Sequence, residues 1–271
     1  MTSERTTTVA VTRPGAAAPV QLTVEEVGAG RPFLLLHGGA GPASVLPFAA
    51  HLAARRPARV IVPTFPGFNG TPRPEDLRDA RGLAGLSVAL LEQLDLRDVT
   101  VAGNSLGGWV TAEIALLGSE RVSGVVILDG VGIEVPGHPV ADFFSLTPQE
   151  LADRSYHEPD RFRIDPANLS DAQRAIMGAN RQAIALYAGQ DMTDRTLAGR
   201  LAGVIVPTLV LWGLSDRIVD PEYGQAFAGA IPGARYQPLA GTGHMPQLET
   251  PALVLDPIWD FAEQSAVRPR G

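Results

Sequence analysis

Three side chains that together could make a nucleophile lie far apart in this sequence: Ser105 in GNSLGG (residues 103–108), Asp216 in LWGLSDRIVDP (211–221) and His244 in GTGHMPQLETP (241–251). A serine hydroxyl is a weak nucleophile near neutrality and needs an adjacent base. Histidine, with an ordinary pKa of roughly 6.5, can take the proton and return it to a leaving group. An aspartate fixes the imidazole tautomer and stabilises the imidazolium that forms. His244 is the histidine that lies just before the last predicted helix. For the acid, Asp129 and Asp220 compete with Asp216; Asp129 ends another core strand and is held as the reserve, with loop capping as its plainer role.

Chemistry of this kind must be positioned, and the elements around Ser105 are suited to it. An apolar, β-branched run (Val99, Thr100, Val101, Ala102) enters Gly103-Asn104-Ser105-Leu106-Gly107, and an apolar segment of helical spacing follows. A strand, a sharp turn and a helix would hold Ser105 in a strained backbone conformation with its hydroxyl clear of the sheet. Side chains two residues to either side would collide across so tight a turn, which accounts for Gly103 and Gly107. The N–H of Leu106 then faces the space before the hydroxyl at a helix N-terminus, where negative charge is favoured. A second donor for a developing oxyanion is expected from the glycine loop His37-Gly38-Gly39-Ala40-Gly41, with Gly39 preferred over Gly38 and Ala40. His37 itself is expected to brace that loop.

The remaining elements follow from hydrophobic periodicity. Residues 5–13 and 19–27 alternate like an antiparallel pair, while 31–36, 59–63, 122–128 and 206–213 are continuous apolar runs typical of strands buried on both faces. Helical spacing recurs at 44–54, 77–94, 221–230 and 251–264, and a short strand is expected near 234–237. Between about 135 and 200 no strand-like run occurs, and helical segments dominate at 147–153 and 171–188. The expected organisation is an α/β core (1–134 and 201–271) with a helical cap (135–200) inserted in it. Strands alternating with helices argue for a mostly parallel sheet with helices on both faces. In the cap, Ile176, Ala179, Ala183 and Tyr187 share a helical stripe, with Met177 and Leu186 beside it and Phe143 and Phe144 upstream. Part of this surface, with Trp109 or Met245 from the floor, is expected to form an apolar pocket; Trp109, Phe144, Met177, Tyr187 and Met245 are its candidates.

Composition narrows the classes. The 271 residues carry a net charge of −7 and no basic cluster beyond short pairs, which argues against nucleic acid or an anionic membrane as partner. The absence of cysteine excludes disulfides and thiolate chemistry. The first fifteen residues lack the apolar core of a secretory leader, and no apolar run reaches the length of a membrane span. A cytoplasmic protein without cofactor or metal, acting on a small molecule, is the expectation; oligomeric state is left open.

HGGAG at 37–41, GNSLGG at 103–108, LWGLSDRIVDP and GTGHMPQLETP together make the sequence resemble the α/β-hydrolase superfamily over nearly its whole length. The chain order Ser, Asp, His agrees with that arrangement. The resemblance implies an eight-stranded, mostly parallel sheet with a helical cap, and hydrolysis of a small, mainly apolar ester by Ser105, His244 and Asp216. Asn104 before the serine, beside an HGG loop, is similar to the carbon–carbon bond hydrolases of meta-cleavage pathways, which supplies a second reading. A third is a receptor of the same fold, separable by whether a chromogenic short-chain ester is turned over. Members of the superfamily that use an aspartate nucleophile are set aside by Ser105.

Overall fold

The computed structural model describes residues 4–16 and 18–266. Residues 1–3, part of the stretch expected to lack a leader, and 267–271, the end of the expected core, lie outside them. Eight strands form one sheet: β1 (Glu4–Val11), β2 (Val20–Gly28), β3 (Arg31–Leu36), β4 (Ala58–Pro63), β5 (Val99–Asn104), β6 (Val122–Leu128), β7 (Thr208–Gly213) and β8 (Arg235–Leu239). Their spatial order is β1-β2-β4-β3-β5-β6-β7-β8. β2 runs antiparallel to both its neighbours, and every other pairing is parallel.

The apolar runs of the central strands are explained by burial on two sides. In β3, Leu34 and Leu36 join one core while Phe33 and Leu35 join the other, as the two-residue period of a strand requires. All four are 2 % exposed or less, and burying each such side chain is worth about 1.5–3 kcal/mol. α1 (Leu46–Arg55) and α9 (Pro251–Ser265) cover one face, and α2 (Ala80–Gln93), α3 (Leu106–Leu117) and α7 (Pro221–Gly229) cover the other. α3 is buried from Leu106 through Ala115, which is why it reads as apolar all round rather than striped.

Between β6 and β7 the described residues form no strand; α4 (Pro148–Ser155), α5 (Asp171–Ala188) and α6 (Leu197–Leu201) lie there. α4 and α5 each begin with a reciprocal cap, Thr147 with Glu150 and Ser170 with Gln173, which satisfies two end N–H groups at a time. α5 meets the core only through its second half. Ala183, Ile184 and Tyr187 are buried, whereas Ile176 and Met177 are 39 % and 44 % exposed. The helical stripe expected from periodicity is therefore docked over half its length. Periodicity defines a face but not how much of it a neighbour covers. A short α8 (Pro246–Glu249), without a periodic signal of its own, precedes α9.

Candidate active site

The parallel strands end level with one another. Leu36 pairs with Gly103, Asn104 with Leu128, Leu128 with Leu211, and Gly213 with Leu239. The next residues of each chain segment, His37, Ser105, Asp129 and the loops bearing Asp216 and His244, therefore leave the same edge of the sheet. Open α/β sheets hold their ligands at that carboxyl edge.

Ser105 sits between β5 and α3 with φ 58° and ψ −118°, a conformation that costs a side-chain-bearing residue about 1–3 kcal/mol. Three backbone bonds hold it there. Its N–H donates to Leu128 O at 3.0 Å, and its carbonyl accepts from Trp109 N at 3.1 Å and Val131 N at 3.3 Å. A β-carbon on Gly103 would lie 2.2 Å from Gly107 O, and one on Gly107 would lie 2.3 Å from Leu36 O, so the turn closes only with glycine at both places. The hydroxyl has no hydrogen-bond partner among the described residues. Leu106 opens α3, and its N–H is one of the donors a helix start leaves unpaired.

His244 Nδ1 lies 2.7 Å from Asp216 Oδ2, and both residues are buried. The other carboxylate oxygen, Oδ1, accepts from Ile218 N at 2.8 Å and Val219 N at 3.2 Å, which fixes the plane of the carboxyl group. His244 Nε2 has no partner among the described residues. The backbone of His244 is held from two sides: its N–H donates to Ser155 O at 2.7 Å, and its carbonyl accepts from Asn104 Nδ2 at 2.8 Å. Asn104 Oδ1 in turn accepts from Gln247 Nε2 at 3.1 Å. The residue before Ser105 thus ties its turn to the loop of His244. A polar side chain at the buried end of an apolar strand was the available sign of Asn104; nothing in the sequence marked Gln247 or Ser155.

Asp129 lies beside this pair but is differently placed. Its Oδ1 accepts from Gly213 N at 2.8 Å, and its buried Oδ2 has no partner. Burial first, and the neighbouring Asp216 charge second, push its pKa well above the ordinary carboxylate value. Asp129, Asp216 and His244 bring three potential metal ligands within 4.8 Å of one another, as do His138, Asp220 and Glu222. In the first group, however, both Asp216 oxygens and His244 Nδ1 are already committed to the hydrogen bonds above.

His37 is fully buried, with both ring nitrogens bound to backbone. Phe65 N–H donates to Nε2 at 3.0 Å, so Nδ1 carries the proton and donates to Gly38 O at 2.8 Å. Burial brings its pKa down to about 4, against the pull of the Gly38 carbonyl. Gly38 O also accepts from Gly41 N at 3.1 Å. That carbonyl is therefore turned into its own loop, and across a trans peptide the Gly39 N–H points the other way. A β-carbon on Gly38 would lie 2.9 Å from the Ser105 β-carbon, which places this peptide beside the serine, and Ile184 of α5 covers Gly39.

Of the five residues expected to line a pocket, two share a cleft and three lie elsewhere. Trp109 and Tyr187 border a cleft of about 430 Å³ whose walls include Arg81, Glu113 and Asp194, and so are charged as much as apolar. Trp109 Nε1 donates to Glu113 at 3.4 Å, and Arg200 grips the same carboxylate at 2.6 and 2.7 Å. Tyr187 donates its hydroxyl to Pro66 O at 2.8 Å and stacks on Phe68. Met245 Sδ accepts from Tyr156 OH at 3.3 Å, beside His244. Phe144 is half-buried with the Arg181 guanidinium over its ring, and Met177 lies on the exposed half of α5.

Residues 33–256 match the model of the alpha/beta hydrolase family, and the chain belongs to that family. Its relatives include a 2-hydroxymuconate semialdehyde hydrolase of Pseudomonas putida, 28 % identical over 249 residues that cover 86 % of this chain and 87 % of the relative. Lipase 1 of Psychrobacter immobilis is 27 % identical over 235 residues, covering 82 % and 73 % of the two chains. Among solved structures, a thermophilic esterase from Thermogutta terrifontis superposes with a TM-score of 0.75 at 25 % identity, over 96 % of this chain and all of its own (100 %). The architecture is the α/β-hydrolase fold. No helix among the described residues is long and apolar enough to cross a membrane.

Proposed function

We propose that this protein is a serine hydrolase of small, mainly apolar esters, with Ser105 as nucleophile, His244 as base and Asp216 as its orienting acid. The observation that carries the reading is the 2.7 Å His244–Asp216 pair at the same sheet edge as a serine held in a strained strand-to-helix turn. Asp216 keeps the Nδ1 proton on its side of the ring, which leaves Nε2 unprotonated to accept the hydroxyl proton. As Ser105 Oγ bonds to the acyl carbon, that proton passes to His244 and then to the departing alkoxide. Water repeats the sequence on the acyl-serine and releases the acid.

The negative charge that develops on the acyl oxygen is assigned to the N–H groups of Leu106 and Gly39. The first is unpaired at the start of α3, and the second is turned out of its loop by the bonds on Gly38 O. Donors of this kind are worth about 3–4 kcal/mol each in the transition state. The helical insertion between β6 and β7 acts as a cap over this floor. Trp109, Tyr187, Phe144 and Met245 remain its candidate pocket residues, while Met177 contributes only if α5 moves. The Pseudomonas putida relative supports a second reading, cleavage of a carbon–carbon bond in a vinylogous diketone.

A fluorophosphonate probe tests the mechanism: peptide mapping should find the label on Ser105, and a folded protein labelled elsewhere or not at all would sink it. A panel of short-chain esters, lactones, amides and vinylogous diketones tests the substrate class. Faster turnover of the diketone than of any ester replaces the ester reading with the second one, and silence on the whole panel favours a receptor.

A further inference from the structure

The insertion is fastened to both loops that carry the His–Asp pair: Ala141 N–H donates to Ile218 O at 2.8 Å and His138 Nδ1 lies 2.7 Å from Asp220 Oδ2, while one short stretch at the end of α4 reaches both loops. Arg154 O accepts from Arg217 N at 3.0 Å, and Ser155 O accepts from His244 N at 2.7 Å. His157 Nδ1 lies 2.8 Å from Ser215 Oγ. There is no slack between the layers, since a β-carbon on Gly243 would lie 2.3 Å from Ser155 O.

One side chain reaches both sides of this seam. Glu249, the last residue of α8, accepts from Gly243 N at 2.6 Å through Oε2 and from Glu158 N at 3.0 Å through Oε1. Gly243 immediately precedes His244, and Glu158 follows the α4 turn. A carboxylate that receives one backbone N–H on each oxygen makes two charge-assisted bonds, roughly twice as strong as neutral ones. Its charge is felt across the seam: burial first, and Glu249 second, push Tyr156 up to about 12. Had Glu249 served only the end of its own helix, one oxygen would have sufficed and the other would face water.

We propose that Glu249 is a positioning residue whose carboxylate clamps the insertion to the His244 loop, so that the seating of the cap and the alignment of the base are set together. The kinetic part of this proposal rests on the serine hydrolase reading; the clamp itself does not. A substrate that lifts or settles the α4 end shifts His244 with it, through a contact lying outside the reacting groups. Side chains in the cap then govern turnover as well as affinity.

The test compares Glu249→Gln and Glu249→Ala with the wild type by hydrogen exchange and by steady-state kinetics on a short-chain nitrophenyl ester. In Glu249→Ala, exchange should rise together in peptides 154–162 and 240–248, although the first is remote in sequence. The kcat should fall on the order of tenfold to a hundredfold, the cost of a misplaced group near 1 Å, with KM changed far less. Glu249→Gln keeps one acceptor oxygen and should fall between, which preserves the test if the alanine variant does not fold. Faster exchange confined to 240–248, or a kcat within about twofold of wild type in a folded alanine variant, overturns the proposal. Exchange needs no turnover. A wild type that neither labels nor hydrolyses therefore defeats the hydrolase reading, while the two peptides still decide the clamp.

Discussion

His37 and His244 are both buried histidines at the carboxyl edge of the same sheet, and their neighbours surround them in opposite ways. At His37 the backbone occupies both nitrogens, one as acceptor and one as donor, and burial without a counter-charge keeps the ring neutral. At His244 only Nδ1 is taken, by a carboxyl group that two backbone N–H groups hold in place. Residue type and depth are nearly equal; what differs is the kind of partner and one uncommitted nitrogen. Two aspartates repeat the lesson. Asp216 is furnished with two backbone donors and the His244 ring, while Asp129, a strand away, has one donor and a second carboxyl group beside it.

Substitutions can break this contrast in graded steps. In the proposed triad, His244→Ala should cost about a millionfold in kcat on the best ester, measured against wild-type protein of equal fold. Asp216→Asn should cost about ten-thousandfold, because the amide favours the wrong tautomer. His37→Asn should leave Ser105 reactive and act mainly on stability, by about 1–3 kcal/mol, since Asn can replace the bond to Gly38 O but leaves Phe65 N unpaired. A loss in His37→Asn as large as that in His244→Ala would erase the distinction between the rings.

The same variant tests the neutral state of His37 through pH. Its folded pKa of about 4 lies below the unfolded value, so the unfolded chain takes up a proton that the folded ring refuses. The stability is whole above pH ~6.5 and is lost as pH falls towards 4, by about 3 kcal/mol in all. Denaturant titrations across that window should show the slope in wild type and a shallower one in His37→Asn. The smallest effect is expected from Asp129→Asn, with kcat within about threefold of wild type, or roughly 0.6 kcal/mol. Because the Asp129 pKa is raised on folding, its contribution weakens as pH climbs above the unfolded carboxylate value. The asparagine variant should therefore gain on wild type as pH rises above that value. A larger kinetic loss in Asp129→Asn than in Asp216→Asn would exchange the two roles.

The sheet and the positions of Ser105, Asp216 and His244 were legible in the sequence because each rests on a local signal. Continuous apolar runs predict strands with two buried faces, and glycines at fixed offsets around a serine predict one tight turn. β6, expected at 122–128, occupies those residues. What stayed hidden depends on pairs distant in sequence. Glu249 reads as one more charge near a helix, and only the approach of Gly243 and Glu158 gives its two oxygens a purpose. Asn104 is visible as an oddity in an apolar strand, yet its partner, the His244 carbonyl, lies 140 residues away. For the pocket, a helical stripe including Ile176 and Tyr187 could be drawn, but the depth of docking that buries Tyr187 and leaves Ile176 out belongs to the tertiary structure.

The backbone of Ser105 sets stability against use. With φ at 58° and ψ at −118°, the position suits glycine better than any residue bearing a side chain. Replacing Ser105 by glycine should relieve on the order of 1 kcal/mol of strain while ending all reactivity at that place. The most easily won gain in stability at this turn is thus also the loss of the proposed nucleophile.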